Sequence, residues 1–217
     1  MKIQIITLLT AITVVACSPV KQDEQEEQSK LKQEERMHYT GDGVLKKYIK
    51  IDYDENDRKI KGSYYNINDD LLWYWVFEYE NEQIVKAVVY HGNDEVSVQA
   101  DIVDTPTGAY YTYEYEDTVL SKVSQCSANG TVISYSTREY EDGFMTKETW
   151  HTADGTMTYY CKYDRDETNR IMKGNFFDYK DQLGYYETYE YEGDILYRIN
   201  RINEGGENLS YKVIREI

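Results

Sequence analysis

From about residue 39 to the C-terminus, apolar and polar residues alternate at a period of two. Leu71, Trp73, Trp75, Phe77 and Tyr79 share one face of a run, and Met157, Tyr159, Cys161 and Tyr163 share one face of another. Glu78, Lys162, Glu114 and Glu190 fall on the opposite faces. This is the pattern of half-buried β-strands. A short motif recurs along it: Ile-Asp-Tyr-Asp at 51–54, Phe-Glu-Tyr-Glu at 77–80, Tyr-Glu-Tyr-Glu at 113–116, Arg-Glu-Tyr-Glu at 138–141, Cys-Lys-Tyr-Asp at 161–164 and Tyr-Glu-Tyr-Glu at 189–192. Its anchor tyrosines are Tyr53, Tyr79, Tyr115, Tyr140, Tyr163 and Tyr191, spaced by 26, 36, 25, 23 and 28 residues. Self-similarity at that period marks a repeat architecture.

Each motif runs into a turn signal such as Glu-Asn-Glu or Glu-Asp-Gly, and a second short run follows. Further turns, among them Asn129-Gly130 and Asp154-Gly155, close several units. Asn-Gly and Asp-Gly between strand-like runs are strong hairpin signals. One repeat therefore reads as one β-hairpin. The expected fold class is all-β: an antiparallel meander of about 12 to 14 strands, forming a curved, twisted sheet or incomplete barrel, because open sheets rarely exceed about ten strands. Lys86, Lys122, Lys147 and Lys173 recur in the second strands, to pair with glutamates of the neighbouring strand or to lay their stems on apolar surface. Turn length alone does not fix the register.

The first residues break the pattern. Met1-Lys2 is followed by an uncharged run from Ile3 to Ala16, then Cys17. That run suits an export signal and is shorter than the roughly 20 residues of a membrane span. Val14-Val15-Ala16-Cys17 resembles the lipobox of bacterial lipoproteins, with Val14 and Val15 in place of the family's leucine and small residue. The resemblance implies cleavage after Ala16 and lipidation of Cys17, and paired acyl chains anchor firmly where one does not. Residues 1–16 are then a signal peptide and 17–38 a lipidated cysteine with a flexible linker rich in Gln, Glu and Lys. Residues 39–217 form the tyrosine-rich repeat domain. The expected location is the cell envelope, with the outer membrane or cell surface favoured over the inner membrane.

Composition narrows the function. The formal net charge is −16 and becomes −17 once Lys2 is removed. The sequence pI is about 4.6 and the mean hydropathy −0.75. Acidity of this order argues against nucleic acid, whose binders need a basic footprint. The 24 tyrosines supply most of the large apolar surface. Cys126 and Cys161 remain beside Cys17. Export permits a disulfide, but three strand spacings would separate the two by about 14 Å, beyond the reach of a bond unless the sheet rolls up.

Tyr53-Asp54-Glu55-Asn56-Asp57-Arg58-Lys59-Ile60, and Tyr163-Asp164-Arg165-Asp166 leading to Asn169-Arg170-Ile171, resemble the YD repeats of Rhs-type bacterial proteins. Most units carry Tyr-Glu where that family has Tyr-Asp. The aromatic and Asn/Asp-Gly rhythm is also similar to MORN-like repeats. Both resemblances imply a non-enzymatic β-repeat scaffold. His38, His91 and His151 form no metalloprotease or zinc cluster, and no nucleotide-binding or hydrolase motif is present. Asp52, Asp54 and Asn56 are spaced like the start of a calcium loop, but Asp57 and Ser63 stand where its glycine and glutamate belong, so a turn is expected. No catalytic residue, metal or cofactor is assigned. Trp73 and Trp75 read as core, while Tyr74, on the other face, and Trp150 are the candidate ligand-binding rings. The expected partners are the lipid bilayer, through acylated Cys17, and a protein or glycan of the envelope. The favoured role is a structural or protein-interaction scaffold, and the alternative is glycan or peptide binding by an aromatic sheet face.

Overall fold

The computed structural model describes residues 32–92 and 109–217. Fourteen strands follow one another in an antiparallel meander: β1 (Gln33–Thr40), β2 (Leu45–Tyr53), β3 (Lys59–Asn66), β4 (Leu71–Glu80), β5 (Gln83–His91), β6 (Tyr110–Glu116) and β7 (Val119–Cys126). The second half continues with β8 (Val132–Glu141), β9 (Phe144–Thr152), β10 (Met157–Arg165), β11 (Ile171–Asp178), β12 (Leu183–Glu192), β13 (Ile195–Asn203) and β14 (Asn208–Glu216). The sheet does not stay open. β1 pairs with β14 from Glu34↔Glu216 to Thr40↔Ser210, and the barrel closes. Closure removes both edges, which an open sheet of this length would leave unpaired.

The first strand lies partly inside the segment expected to be linker, residues 17–38. Gln-Glu-Glu-Arg-Met-His-Tyr-Thr does not look like a strand, because its inward side chains Glu34, Arg36 and His38 are polar too. Cys17 lies outside the described residues. Cys126 and Cys161 are free and buried. Cys161 faces inward, whereas Cys126 pairs with Tyr110 on the outer face, so closing the barrel does not bring them together.

Each repeat is a hairpin with a register shift one residue before the motif's anchor: Asp52/Tyr53, Glu78/Tyr79, Glu114/Tyr115, Glu139/Tyr140, Asp164/Arg165 and Glu190/Tyr191. In the fifth repeat Arg165 takes the place of the tyrosine, and Tyr163 lies two residues upstream. The shift sends the anchor to the barrel rim, where it ties its hairpin to the preceding one. Tyr79 donates to the Lys59 carbonyl at 2.8 Å, Tyr140 to Leu120 at 2.8 Å, Arg165 to Met145 at 3.0 Å and Tyr191 to Ile171 at 3.0 Å. Tyr115 bonds the Ile84 backbone, and Tyr53 donates to Glu34 at 3.0 Å. The Tyr-Glu motif is thus a belt of hydrogen bonds around one rim.

Turn chemistry explains the scarcity of turn glycines. Gly130 and Gly155 occupy the left-handed turn position at φ 89°, and Asp57 and Asn169 occupy it at φ 58° and 64° in sister turns. Asp and Asn tolerate that region better than other side-chain residues. Asp54, the start of the calcium-like run, folds as a turn: its Oδ1 accepts from the Asn56 and Arg58 amides, both at 2.9 Å.

Candidate functional site

The two faces of the barrel wall carry different chemistry. On the outer face, a carboxylate stands opposite a base in each of the six repeat hairpins: Asp52↔Lys61, Glu78↔Lys86, Glu114↔Lys122, Glu139↔Lys147, Asp164↔Lys173 and Glu190↔Arg198. Each base also covers a tyrosine of the next strand, from Lys61 over Tyr74 at 4.4 Å to Arg198 over Tyr211 at 4.3 Å. The recurrent lysines seen in the sequence are therefore cross-strand partners and cation–π donors at once. A charged residue on a lipid-facing wall costs up to about 2–4 kcal/mol near the bilayer midplane. Six such bases, with their carboxylates, make this outer wall one that faces water.

The inner face is aromatic in two bands. Tyr64 stacks on Trp73 (4.6 Å between centroids), Trp73 meets Trp75 (4.9 Å), and Trp75 meets Phe77 edge-on at 6.3 Å. Across the barrel order, Tyr159 stacks on Trp150 (4.5 Å), Trp150 lies 6.3 Å from Phe176, and Phe176 stacks on Tyr185 (4.4 Å). The Arg201 guanidinium covers Tyr185 at 4.4 Å. Beside the second aromatic band sit buried carboxylates held by arginine. Glu187 Oε1 accepts from Arg201 Nε and Nη2 at 3.1 and 2.8 Å, and Glu148 Oε1 accepts from Ser136 Oγ at 2.9 Å and Arg138 Nε at 3.2 Å. Cys161, fully buried, lies beside them. Burial pushes its thiol up to about 12, and the Glu187 and Glu148 charges add to the shift. Burial likewise raises the hydroxyls of Tyr163 and Tyr189. None of these groups is poised as a nucleophile near neutral pH.

The bands line a space. A ring of 14 strands spaced about 4.8 Å apart and tilted about 40° has a backbone diameter on the order of 28 Å if it is round. Facing sheets touch at about 10 Å. Among the described strands, only hydrogen-bonded neighbours approach within 8 Å at Cα. Trp73, Trp75, Phe77 and Trp150 all point inward yet stay half-buried, so large apolar surface is left available inside.

The structure separates the two rings singled out in the sequence. Tyr74 is on the outer wall, stacked on Tyr90 at 5.0 Å beneath Lys61. Trp150 is in the lumen. No single site holds both. The sequence reading missed the inward-facing basic residues Arg36, His38, Lys47 and Lys212. His38 was hidden in the presumed linker, and Lys47 alternates with Ile49 and Ile51 like any strand residue. Only the registers of β1 with β14 and with β2 place them together. Among the described residues no cluster of His, Cys, Asp or Glu suited to a metal ion is present.

No protein-family model matches the chain, and no curated protein matches it either. Solved structures do. A porin-like protein from Bacteroides vulgatus is 9% identical, with 83% of this chain and 96% of that chain covered at a TM-score of 0.50. A porin-like protein from Bacteroides uniformis is 12% identical over 86% and 97% of the two chains, at 0.49. A LolA superfamily protein from Nitrosomonas europaea is 10% identical over 85% and 84%, at 0.27. The first of these reaches the level of a shared fold, and at 9% identity it speaks to fold alone.

Proposed function

We propose that the chain is a non-enzymatic binding protein of the bacterial cell envelope, tethered by a lipid on Cys17, and that its barrel lumen is the binding site. One observation carries this reading: the inward tryptophans and Phe77 form stacked bands that remain half-buried around an enclosed space, while the outer wall is charged. Small-molecule sites are concave and mostly apolar, with a few placed polar groups. A structural scaffold has no need to leave its largest aromatic surfaces uncovered on the inside. Lys32, just before β1, lies at the rim that carries the tyrosine belt, where its carbonyl accepts from the Tyr53 amide.

The test uses a neutral naphthylamine dye. All three tryptophans face the lumen, so dye bound there quenches tryptophan emission by energy transfer. Saturable binding with quenching is expected, and Trp150→Ala should weaken it. No saturable binding, or quenching unchanged by Trp150→Ala and by Trp73→Ala, contradicts the reading. Separately, Cys17→Ser should release the protein from the membrane fraction, and unaltered retention would refute the tether.

A further inference from the structure

On the outer wall a carboxylate faces the base of each of the six repeat hairpins. One stretch of the inner wall does the opposite. Lys212 on β14 stands directly opposite His38 on β1, and His38 stands directly opposite Lys47 on β2. Three adjacent strands thus send two lysines, with an imidazole between them, into the same space. Two inward lysines flank one half-buried imidazole with no carboxylate set against them, and charge facing an interior without a partner is costly, so the row needs a reason. The neighbouring inward carboxylates are already engaged: Glu34 bonds Arg36, and Glu187 bonds Arg201. Neither Lys47 nor Lys212 has a carboxylate within 4 Å among the described residues, although the chain as a whole is strongly acidic.

Two buried polar atoms beside the row have no hydrogen-bond partner among the described residues: His38 Nε2 and the Tyr64 hydroxyl. Tyr64 is only 3% exposed. Buried hydroxyls without partners are uncommon, and each calls for an explanation. Lys47 Nζ sits 5.0 Å from the Tyr64 ring, and that ring begins the Tyr64–Trp73–Trp75 band. Charge surplus, idle donors and an aromatic surface thus meet at one place in the lumen.

We propose that this row binds the head group of an amphipathic anion, a carboxylate carried on an acyl or aromatic body. Lys47 and Lys212 supply the charge, His38 and the Tyr64 hydroxyl supply hydrogen bonds, and the body lies along Trp73 and Trp75. The proposal rests on the lumen being the binding site and names the class of its ligand. A purely apolar ligand would gain nothing from the row, and a sugar would not need its charge.

The probe is an anthroyloxy-labelled long-chain fatty acid, compared with its methyl ester on the full mature protein. The acid should bind more tightly than the ester by about tenfold or more, the scale of a charge-assisted hydrogen bond. Lys47→Gln with Lys212→Gln should erase that preference and leave ester and neutral-dye binding intact. The outer pair Lys61→Gln with Lys86→Gln should leave the preference unchanged. Equal binding of acid and ester, survival of the preference in the inner double variant, or its loss in the outer one overturns the proposal. Failure of the neutral dye and ester to bind at all would count against the lumen reading itself, so the two failures are distinguishable. An alkyl phosphate of equal chain length separates carboxylate from phosphate: tighter binding than the acid, lost in the inner double variant, would overturn the carboxylate assignment.

Discussion

Gly62 on β3 lies directly under the indole of Trp75 on β4. The glycine is not at a left-handed φ, so its backbone accommodates alanine and the contact alone decides the outcome. A Cβ added there would sit 2.2 Å from both Cε2 and Cζ2 of Trp75 and 2.7 Å from Nε1. Ordinary contact begins near 3.4 Å, so the ring would have to retreat by about 1.2 Å, loosening its packing on Trp73 and Phe77. Overpacking of this kind costs about 1–3 kcal/mol. Trp75 borders open lumen on its other side and has room to move, which favours the lower half, about 1–2 kcal/mol. For a domain of this size that is a fall in Tm of roughly 2–8 °C. Unfolding of Gly62→Ala should be followed by far-ultraviolet circular dichroism in the wild-type and Trp75→Leu backgrounds. Without the indole, the alanine should be neutral or stabilising by up to about 1 kcal/mol, because it restricts the unfolded chain. An equal loss in both backgrounds would refute the contact and, with it, the inward placement of the tryptophan band.

Three other outcomes follow from the same structure. Tyr140→Phe removes one hydroxyl bond of the rim belt and should cost about 0.5–1.5 kcal/mol, with faster amide exchange in β7 and β8; unchanged exchange there would show that the belt does not hold neighbouring hairpins together. His38 is held neutral down to about pH 3, first by burial and then by the Lys212, Lys47 and Arg36 charges. The unfolded imidazole takes up its proton near pH 6.5, so His38 contributes stability above that value, and the contribution is lost as pH falls from 6.5 towards 3. Allowing for partial exposure this amounts to about 2–3 kcal/mol, read as the widening of the wild-type minus His38→Gln difference between pH 3 and 7; parallel curves would show an ordinary histidine. The closing seam, β14 with β1, reverses the charge order of the six repeat hairpins by placing Arg215 opposite Glu35. Arg215→Glu should therefore destabilise by about 0.5 kcal/mol, and by less in a Glu35→Gln background; an equal loss in both backgrounds would mean that the seam is indifferent to their charges.

Much of the wall was legible in the sequence. The period-two alternation placed Trp73, Trp75, Phe77 and Cys161 on one face and Glu78, Glu114 and Glu190 on the other, and the turn signals located the hairpins. Closure was not legible, because pairing of β1 with β14 joins the two ends of the repeat domain and leaves no local mark. β1 itself was obscured by its polar inner face. The basic row was hidden for the same reason: Lys47, His38 and Lys212 come from three strands whose shared face depends on register, and a one-residue slip would have sent each of them outward. The anchor tyrosines were visible as a motif, but their work as a rim belt depends on a bulge that the motif does not announce.

The central claim, that ligand enters the lumen, is tested most directly by nuclear magnetic resonance with a nitroxide-labelled fatty acid. The three indole N–H signals belong to Trp73, Trp75 and Trp150, all on the inner wall, and Tyr74 and Tyr90 report on the outer wall. Bound label should broaden Trp73 and Trp75 strongly and leave Tyr74 and Tyr90 sharp. Broadening confined to the outer tyrosines, with all three indoles unaffected at saturation, would contradict the account.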